Sequence, residues 1–109
     1  MSKYQIPKDD ESINKAAKMF KALSNPYRLK IYVTLVASYK GKIIDESEEE
    51  TLNCQREFAN LLGLANSTTS HHFKELKEAG LIHTERKGKN VLFWVDSDSI
   101  KVMEQFFII

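Results

Sequence analysis

The apolar residues of this chain recur mainly every three or four positions, which is the spacing of amphipathic helices. That spacing predicts a first helix over residues 11–23. Asn25 followed by Pro26 favours the start of a second helix, which the pattern extends to Tyr39. The second helix is apolar on almost every side, so we expect it to be the buried central helix. Its apolar positions are Leu29, Ile31, Tyr32, Val33, Leu35 and Val36.

An acidic run at positions 45–50, Asp-Glu-Ser-Glu-Glu-Glu, lies in the segment that follows. Runs of like charge usually form solvated loops, so residues 42–53 are expected to be a long connection. A surface that repels DNA or contacts a basic partner is the alternative. A short helix is then predicted over residues 54–62. Its apolar stripe comprises Cys54, Phe58, Leu61 and Leu62.

The most informative stretch covers residues 61–81. Gly63 is suited to ending one helix, and after a short turn a second helix is expected over residues 67–79. Its inward face comprises Thr69, His72, Phe73 and Leu76, and its outward face comprises Ser67, Thr68, Ser70, His71 and Lys74. The outward face begins with small hydrogen-bonding groups and continues with a cation. It therefore suits a DNA major groove, although an ordinary solvated helix is the alternative.

After Gly80 the apolar spacing changes from helical to strand-like. Residues 82–86 and 91–95 predict two short strands joined by a basic turn, Lys87-Gly88-Lys89-Asn90. A hairpin directly after a recognition helix is a wing. Its basic residues are suited to phosphates or to an adjacent minor groove, and a solvated turn is the alternative.

The first and last helices together offer a further apolar surface. Residues 98–109 are expected to form the last helix. The surface comprises Ile13, Ala17, Phe20, Ile100, Met103, Phe106 and Phe107. Each large apolar side chain left in water forfeits about 1.5–3 kcal/mol, so either the core or a second chain should cover them. We favour a homodimer joined through these two helices.

Composition adds little to this picture but excludes some classes of protein. The 109 residues are 28% charged and 42% hydrophobic, which fits a single globular domain. A single cysteine excludes an internal disulfide, and no apolar run suggests a signal peptide or membrane span, so we expect a cytoplasmic protein without a membrane partner. Residues 51–95 carry six basic and four acidic groups, a net +2, which is a weak nucleic-acid footprint.

Three segments in order carry a resemblance to a known family. They are Phe20-Lys-Ala-Leu-Ser-Asn-Pro-Tyr-Arg-Leu-Lys-Ile31, Phe58-Ala-Asn-Leu-Leu-Gly-Leu-Ala-Asn-Ser-Thr-Thr-Ser-His-His-Phe-Lys-Glu-Leu-Lys-Glu-Ala-Gly-Leu-Ile82, and Lys87-Gly88-Lys89. Over about residues 16–107 the chain resembles the ArsR/SmtB family of small winged-helix repressors. The resemblance implies a homodimer whose ligand-free form binds an operator in double-stranded DNA and blocks transcription.

The resemblance also implies which residues contact DNA. It places base contacts on the residues matching the family's Ser-x-x-Ser-His signature, here Ser67, Thr68, Ser70 and His71. Phosphate contacts are expected from Asn66, Lys74, Arg86, Lys87 and Lys89. Ala65 stands where the family usually has a serine cap, so Asn66 or Ser67 is expected to cap the helix. Thr69 replaces an apolar β-branched residue, so its hydroxyl needs a partner if it is buried.

The metal sites of the family are not matched, so we expect no metal or other cofactor. Many members carry Cys-x-Cys at the start of the helix that is expected here from Cys54, whereas this chain has Cys54-Gln55-Arg56. One thiolate beside a cation cannot hold zinc, which prefers four ligands. The last helix offers carboxylates but no histidine, and the adjacent His71 and His72 diverge by about 100° around their helix.

Cys54 is interpreted as a small buried apolar residue, since free cysteine is often buried. Arg56 and a nearby helix N-terminus make a reactive thiolate the alternative.

We therefore predict a mainly α single domain, residues 1–109, with a β-hairpin wing and element order α-α-α-α-β-β-α. A flexible arm (1–10), the helix-turn-helix (54–80), the wing (81–96) and a dimerisation helix (98–109) make up the chain. The predicted function is sequence-specific DNA binding by a dimeric repressor that a non-metal signal releases. The alternatives are a winged-helix protein-interaction module and a thiol-redox-responsive repressor. Motifs of enzymes, such as a phosphate-binding glycine loop or a nucleophile elbow, are missing, so we predict no catalysis.

Overall fold

The computed structural model describes residues 2–107, which form five helices and one three-stranded antiparallel sheet. In chain order these are α1 (Asp10–Ala22), α2 (Pro26–Tyr39), β1 (Ile43–Ser47), α3 (Glu48–Leu62), α4 (Asn66–Glu78), β2 (Ile82–Lys87), β3 (Asn90–Val95) and α5 (Ser97–Gln105). The four predicted helices, the hairpin and the last helix are all present, and β1 is an additional strand. The last two residues of the predicted final helix, Ile108 and Ile109, lie outside the described residues.

Side-chain caps fix where the first two helices begin. Asp9 accepts a hydrogen bond from the Ser12 N–H, so α1 starts at Asp10. The Asn25 side chain accepts from the Arg28 N–H at 3.1 Å, with proline at the first helical position, as predicted.

Helix α2 is buried on one face only, which corrects the expectation of a fully buried central helix. Ile31, Tyr32 and Leu35 are buried, but Leu29 is 42% exposed and Val33 is 52% exposed. The apolar residues that face away from the core therefore form a surface of their own.

The acidic run is not a loop, and this is the largest correction to the predicted fold. Residues 43–47 form β1, which pairs with β3 and gives the sheet the order β1-β3-β2. Ser47 and Glu50 then form a capping box that starts α3 six residues earlier than predicted. Three glutamates occupy the first turn of α3, where the positive end of the helix dipole stabilises carboxylates.

The core lies between α1, α2, α4 and the sheet. Its fully buried side chains include Met19, Ile31, Leu35, Leu76, Leu81 and Ile82. Leu61, which was assigned to the apolar stripe of α3, is instead 74% exposed. Ala17 of the predicted dimer surface is also exposed, on the outer side of α1. Leu76 belongs to the inward face of α4, so the core holds this face of the helix in place.

The last helix starts because the Asp96 carboxylate accepts the N–H groups of Asp98 and Ser99. It ends at Gln105, so Phe106 and Phe107 follow the helix rather than belonging to it. No helix within residues 2–107 is both long enough and apolar enough to cross a bilayer.

Candidate nucleic-acid interface

Helices α3 and α4 form a helix-turn-helix with a three-residue turn. Gly63 has a φ of +67°, the left-handed conformation that glycine adopts most easily after a helix. The Leu64 N–H donates to the Ala59 carbonyl at 2.9 Å and closes the end of α3. The rings of Phe58 and Phe73 meet edge to face at 5.7 Å, so an aromatic contact holds the two helices together.

The inward face of α4 is the predicted one. Thr69, His72, Phe73 and Leu76 are all buried. The Thr69 hydroxyl donates to the Ala65 carbonyl at 3.1 Å, so the partner required by its burial is present. This side of α4 holds the helix in place and leaves the opposite side available.

His72 has a structural role within this face. The Arg28 Nε donates to His72 Nδ1 at 3.4 Å, which links α4 to the start of α2. Burial lowers the pKa of His72 below its ordinary value of 6.5, and the positive charge of Arg28 lowers it further.

Stability is therefore expected to fall as pH decreases through the range below 6.5. The unfolded chain binds a proton at His72 at a higher pH than the folded chain does, so protonation favours unfolding. Urea unfolding at a fixed protein concentration should show a steeper loss of stability between neutral and acidic pH for wild type than for His72→Gln. The extra slope from one proton is at most about 1.4 kcal/mol per pH unit. Equal slopes would show that His72 is not held neutral.

The outward face of α4 is exposed as predicted. Ser67, Thr68, Ser70, His71 and Lys74 all reach solvent. His71 Nε2 lies 3.7 Å from Glu75 Oε1, and Lys74 Nζ lies 4.0 Å from Glu78 Oε1. Ion pairs between such exposed side chains contribute little to stability. His71 and Lys74 can therefore exchange their glutamate partners for the phosphates of a polyanion at low cost.

The N-terminus of α4 differs from the prediction. Its N-cap is Ala65, and no side chain caps the helix, so neither Asn66 nor Ser67 does so. Both side chains are exposed instead. The first N–H groups of α4 are thus free of a side-chain partner at the end of the helix that favours anions.

The wing is a tighter hairpin than predicted. Strands β2 and β3 pair up to Lys87 and Asn90, which leaves only Gly88 and Lys89 in the turn. Gly88 has a φ of +60°, which suits the first central position of a type II′ turn. The predicted basic residues, Arg86, Lys87 and Lys89, are all exposed near this tip.

Acidic residues of the 45–50 run pair with the wing, a contact that the sequence pattern does not predict. Arg86 Nη2 forms an ion pair with Glu48. Lys87 Nζ lies 3.5 Å from Asp45 Oδ2, and Asn90 Nδ2 donates to Asp45 Oδ1 at 2.8 Å. Two of the three expected phosphate contacts on the wing are therefore already partnered within the chain.

Some residues of the predicted dimer surface pack against one another within a single chain. The Phe20 ring contacts Phe106 and Phe107 edge to face, with ring centres 6.4 Å and 5.6 Å apart. Beside it, α2 and α5 enclose an apolar groove of about 310 Å³ that includes Val33, Met103 and Phe107. Val33 and Phe107 remain largely exposed in that groove, at 52% and 72%.

Cys54 lies in the middle of α3 rather than at its start. Burial raises the pKa of the Cys54 thiol, and the carboxylates of Glu46 and Glu57 raise it further. Arg56, the cation that was considered as a partner for the thiolate, donates a hydrogen bond to the side-chain oxygen of Asn53 instead. These contacts favour the protonated thiol and argue against the electropositive site that a reactive thiolate needs.

Possible metal ligands are dispersed in the part of the chain that the structure describes. Within residues 2–107, no three His, Cys, Asp or Glu side chains are grouped closely enough to hold one ion. The rings of His71 and His72 are 6.3 Å apart and tilted by 49°.

Known proteins show the same sequence pattern. A family model described as "Bacterial regulatory protein, arsR family" matches residues 48–84. A cadmium resistance transcriptional regulatory protein, CadC homolog, of Staphylococcus aureus is 32% identical over 93 residues, which cover 84% of this chain and 67% of that protein. The chain belongs to the ArsR family. An HTH-type transcriptional regulator of Methanocaldococcus jannaschii is 30% identical over 94 residues, which cover 84% of this ArsR-family chain and 89% of that protein.

Solved structures give the same fold at lower identity. A homodimeric winged helix-turn-helix DNA-binding domain of Mycobacterium bovis, Mb0332, has a TM-score of 0.57 at 20% identity, with 94% of this chain and 86% of that one covered. The ArsR-family chain spans 57 to 67% of the length of the cadmium-resistance and SmtB regulators that it matches. The predicted family and fold class, winged helix-turn-helix, are confirmed, and the family is one of transcriptional regulators rather than enzymes.

Proposed function

We propose that this ArsR-family chain is a dimeric repressor that binds a specific operator in double-stranded DNA. The observation that carries the proposal is the division of α4 into a buried apolar face and an exposed polar face, with a basic wing following in the chain. A recognition helix needs one face packed against the core and a polar face free to enter the groove, and α4 has both.

The outward residues of α4 have the chemistry for both kinds of DNA contact. Ser67, Thr68, Ser70 and His71 are proposed to contact base edges, since hydroxyl and imidazole groups can donate or accept hydrogen bonds. Asn66 and Lys74 are proposed to contact phosphates. The uncapped first turn of α4 supports this placement, because its free N–H groups favour a phosphate oxygen.

The wing is proposed to contact the backbone beside the groove that α4 enters. Lys89 forms no ion pair with a carboxylate of residues 2–107, so it can neutralise a phosphate without losing a partner. Arg86 and Lys87 must first exchange Glu48 and Asp45 for phosphate. Lys89 is therefore expected to contribute more to phosphate binding than Arg86 or Lys87 does.

The proposed dimer would use α1 and α5, extended by the exposed side of α2. The apolar residues include Ile13, Ala17, Phe20, Ile100, Met103, Phe106 and Phe107, as predicted, together with Val33. The homodimeric state of the similar Mycobacterium bovis domain supports this proposal. A second chain in the α2–α5 groove would remove Val33 and Phe107 from water.

The repressor role is supported by a further relative, the HTH-type transcriptional repressor SmtB of Mycobacterium tuberculosis, which is 28% identical over 90 residues. A non-metal signal is proposed because Cys54 has no second thiolate two positions later. We also propose a cytoplasmic location, since the protein must reach the proposed operator DNA.

Selection of bound fragments from the source genome would test the proposed function. We expect the recovered fragments to share a palindrome whose two halves are about one helical turn apart. Failure to bind any duplex at low salt, combined with a stable complex with another protein, would favour the interaction-module alternative.

Neutralising Lys89 is expected to reduce the salt dependence of operator binding. The slope of log K against log salt is negative, and each lost phosphate contact reduces its magnitude by about 0.9. For Lys89→Ala, the magnitude of the salt slope should fall by close to that amount, and binding to specific and random duplexes should weaken equally. Lys87→Ala should lose less, because Asp45 competes for this lysine in the free protein. Fluorescence anisotropy at several salt concentrations measures both slopes, and an unchanged slope for Lys89→Ala would remove the wing tip from the interface.

A further inference from the structure

A cavity of about 420 Å³ lies between the sheet and the helix-turn-helix. Its volume is within the range of roughly 300–1,000 Å³ that small-molecule sites occupy. It is lined by residues from both proposed DNA-binding elements, the recognition helix α4 and the strands of the wing. Neither the family assignment nor the proposed function gives this space a role.

The wall of the cavity on the side of the sheet is mostly apolar. Across the sheet, Ile44, Phe93 and Thr84 lie in one row, because each of the outer two pairs with Phe93 in the strand register. Tyr39 packs edge to face against Phe93 at 6.0 Å, and Phe73 of α4 contributes to the lining. A flat or extended hydrocarbon group would replace water against these side chains.

Charged groups line the cavity at two places. On the α4 side, Lys74 and Lys77 are three residues apart and therefore neighbours on the helix. On the other side, the carboxylate of Glu46 already accepts a hydrogen bond from the Thr51 hydroxyl at 3.1 Å. Lys77 forms no ion pair with a carboxylate of residues 2–107. Lys74 is paired with Glu78 at 4.0 Å, but both side chains are exposed, so exchanging this partner for a ligand costs little. Lys77 and the exchangeable Lys74 together favour an anionic group.

We propose that this cavity binds a small organic acid, with its apolar body against the sheet and its carboxylate between Lys74 and Lys77. We propose also that this binding weakens DNA binding, because Lys74 cannot serve the ligand and a phosphate at once. The second part rests on the proposed function, whereas the first does not.

Cys54 provides a local reporter, since it is the single cysteine and lines the cavity. Decanoate is the probe, and decanol is the uncharged control of equal chain length. Decanoate at about ten times its dissociation constant should slow the alkylation of Cys54 by N-ethylmaleimide roughly tenfold. Decanol should protect much less at the same concentration. Binding in the α2–α5 groove would not change this readout. No protection by decanoate would overturn the proposed site.

Two variants separate the apolar and charged parts of the site. Thr84→Trp should fill the cavity and abolish protection by both probes, with circular dichroism confirming the fold. Lys77→Gln, on an exposed position, should remove the preference for decanoate over decanol, whereas Lys101→Gln on α5 should leave it unchanged. A preference that survives Lys77→Gln would contradict the proposed position of the carboxylate.

The coupling to DNA is tested separately. Saturating decanoate should weaken operator binding by the same factor by which operator weakens decanoate binding, since linkage is reciprocal. Protection of Cys54 without weaker operator binding would overturn the coupling alone. Failure of the protein to bind any DNA would instead overturn the proposed function and leave the acid site standing.

Discussion

Val33→Glu is expected to separate the proposed dimer into monomers and to weaken operator binding by at least about 100-fold. Val33 lies in the apolar groove between α2 and α5, and it is 52% exposed in a single chain. A glutamate there would bury an unpaired charge on dimerisation. Two linked recognition helices gain about 10²–10⁴ in avidity over one, so a monomer loses that factor. Sedimentation equilibrium measures the mass, and anisotropy measures the affinity.

Leu52→Glu is the matched control for oligomeric state. Leu52 is 51% exposed on α3, outside the groove, so the same charge on an equally exposed apolar residue should leave the dimer intact. A Val33→Glu protein with the wild-type mass would place the dimer interface elsewhere.

His71→Ala or Ser70→Ala is expected to weaken binding to the selected operator by about 1–3 kcal/mol, which is roughly 5- to 150-fold. Both side chains are exposed on the outward face of α4 and contribute little to the fold. Their loss removes hydrogen bonds to particular bases, so the affinity for random duplex DNA should change little. Competition titrations with operator and scrambled duplex measure the two affinities.

Glu78→Ala is the control for this pair of variants. Glu78 is exposed on the same helix, two turns beyond His71, and is not among the proposed base contacts. It should retain the preference for operator over scrambled DNA. If His71→Ala also retains the full preference, His71 is not a base contact.

The faces of α4 could be predicted from the sequence because a helix assigns its faces by spacing alone. Thr69 and Leu76 are seven residues apart and both buried, while Ser67, Ser70 and His71 lie on the other side and are exposed. Nothing from distant parts of the chain is needed for that inference. The same is true of Asn25 and Pro26, whose capping roles are local.

Strand β1 could not be predicted in this way, because its partner is β3, more than forty residues later. Its sequence, Ile-Ile-Asp-Glu-Ser, contains residues that strands disfavour, and the charge run obscured it. One local signal was nevertheless present. Ser47 followed by Glu50 is a capping-box pattern, and it marks the true start of α3.

The ion pairs of the wing illustrate a second limit. Arg86 and Glu48 are 38 residues apart, as the fold brings β2 beside the start of α3. Counting charges along the chain gave a basic wing, whereas the folded surface pairs part of that charge with the acidic segment. Similarly, the exposed side of α2 looked like core because apolar periodicity does not distinguish burial within a chain from burial between two chains.

Methylation interference on the selected operator would most directly test whether the outward face of α4 enters the major groove. Dimethyl sulfate modifies guanine N7, a major-groove acceptor, so methylated guanines within the two half-sites should be depleted from the bound fraction. We expect two such clusters about one helical turn, roughly 10–10.5 base pairs, apart. Full binding to DNA that is methylated at N7 throughout both half-sites would contradict the account.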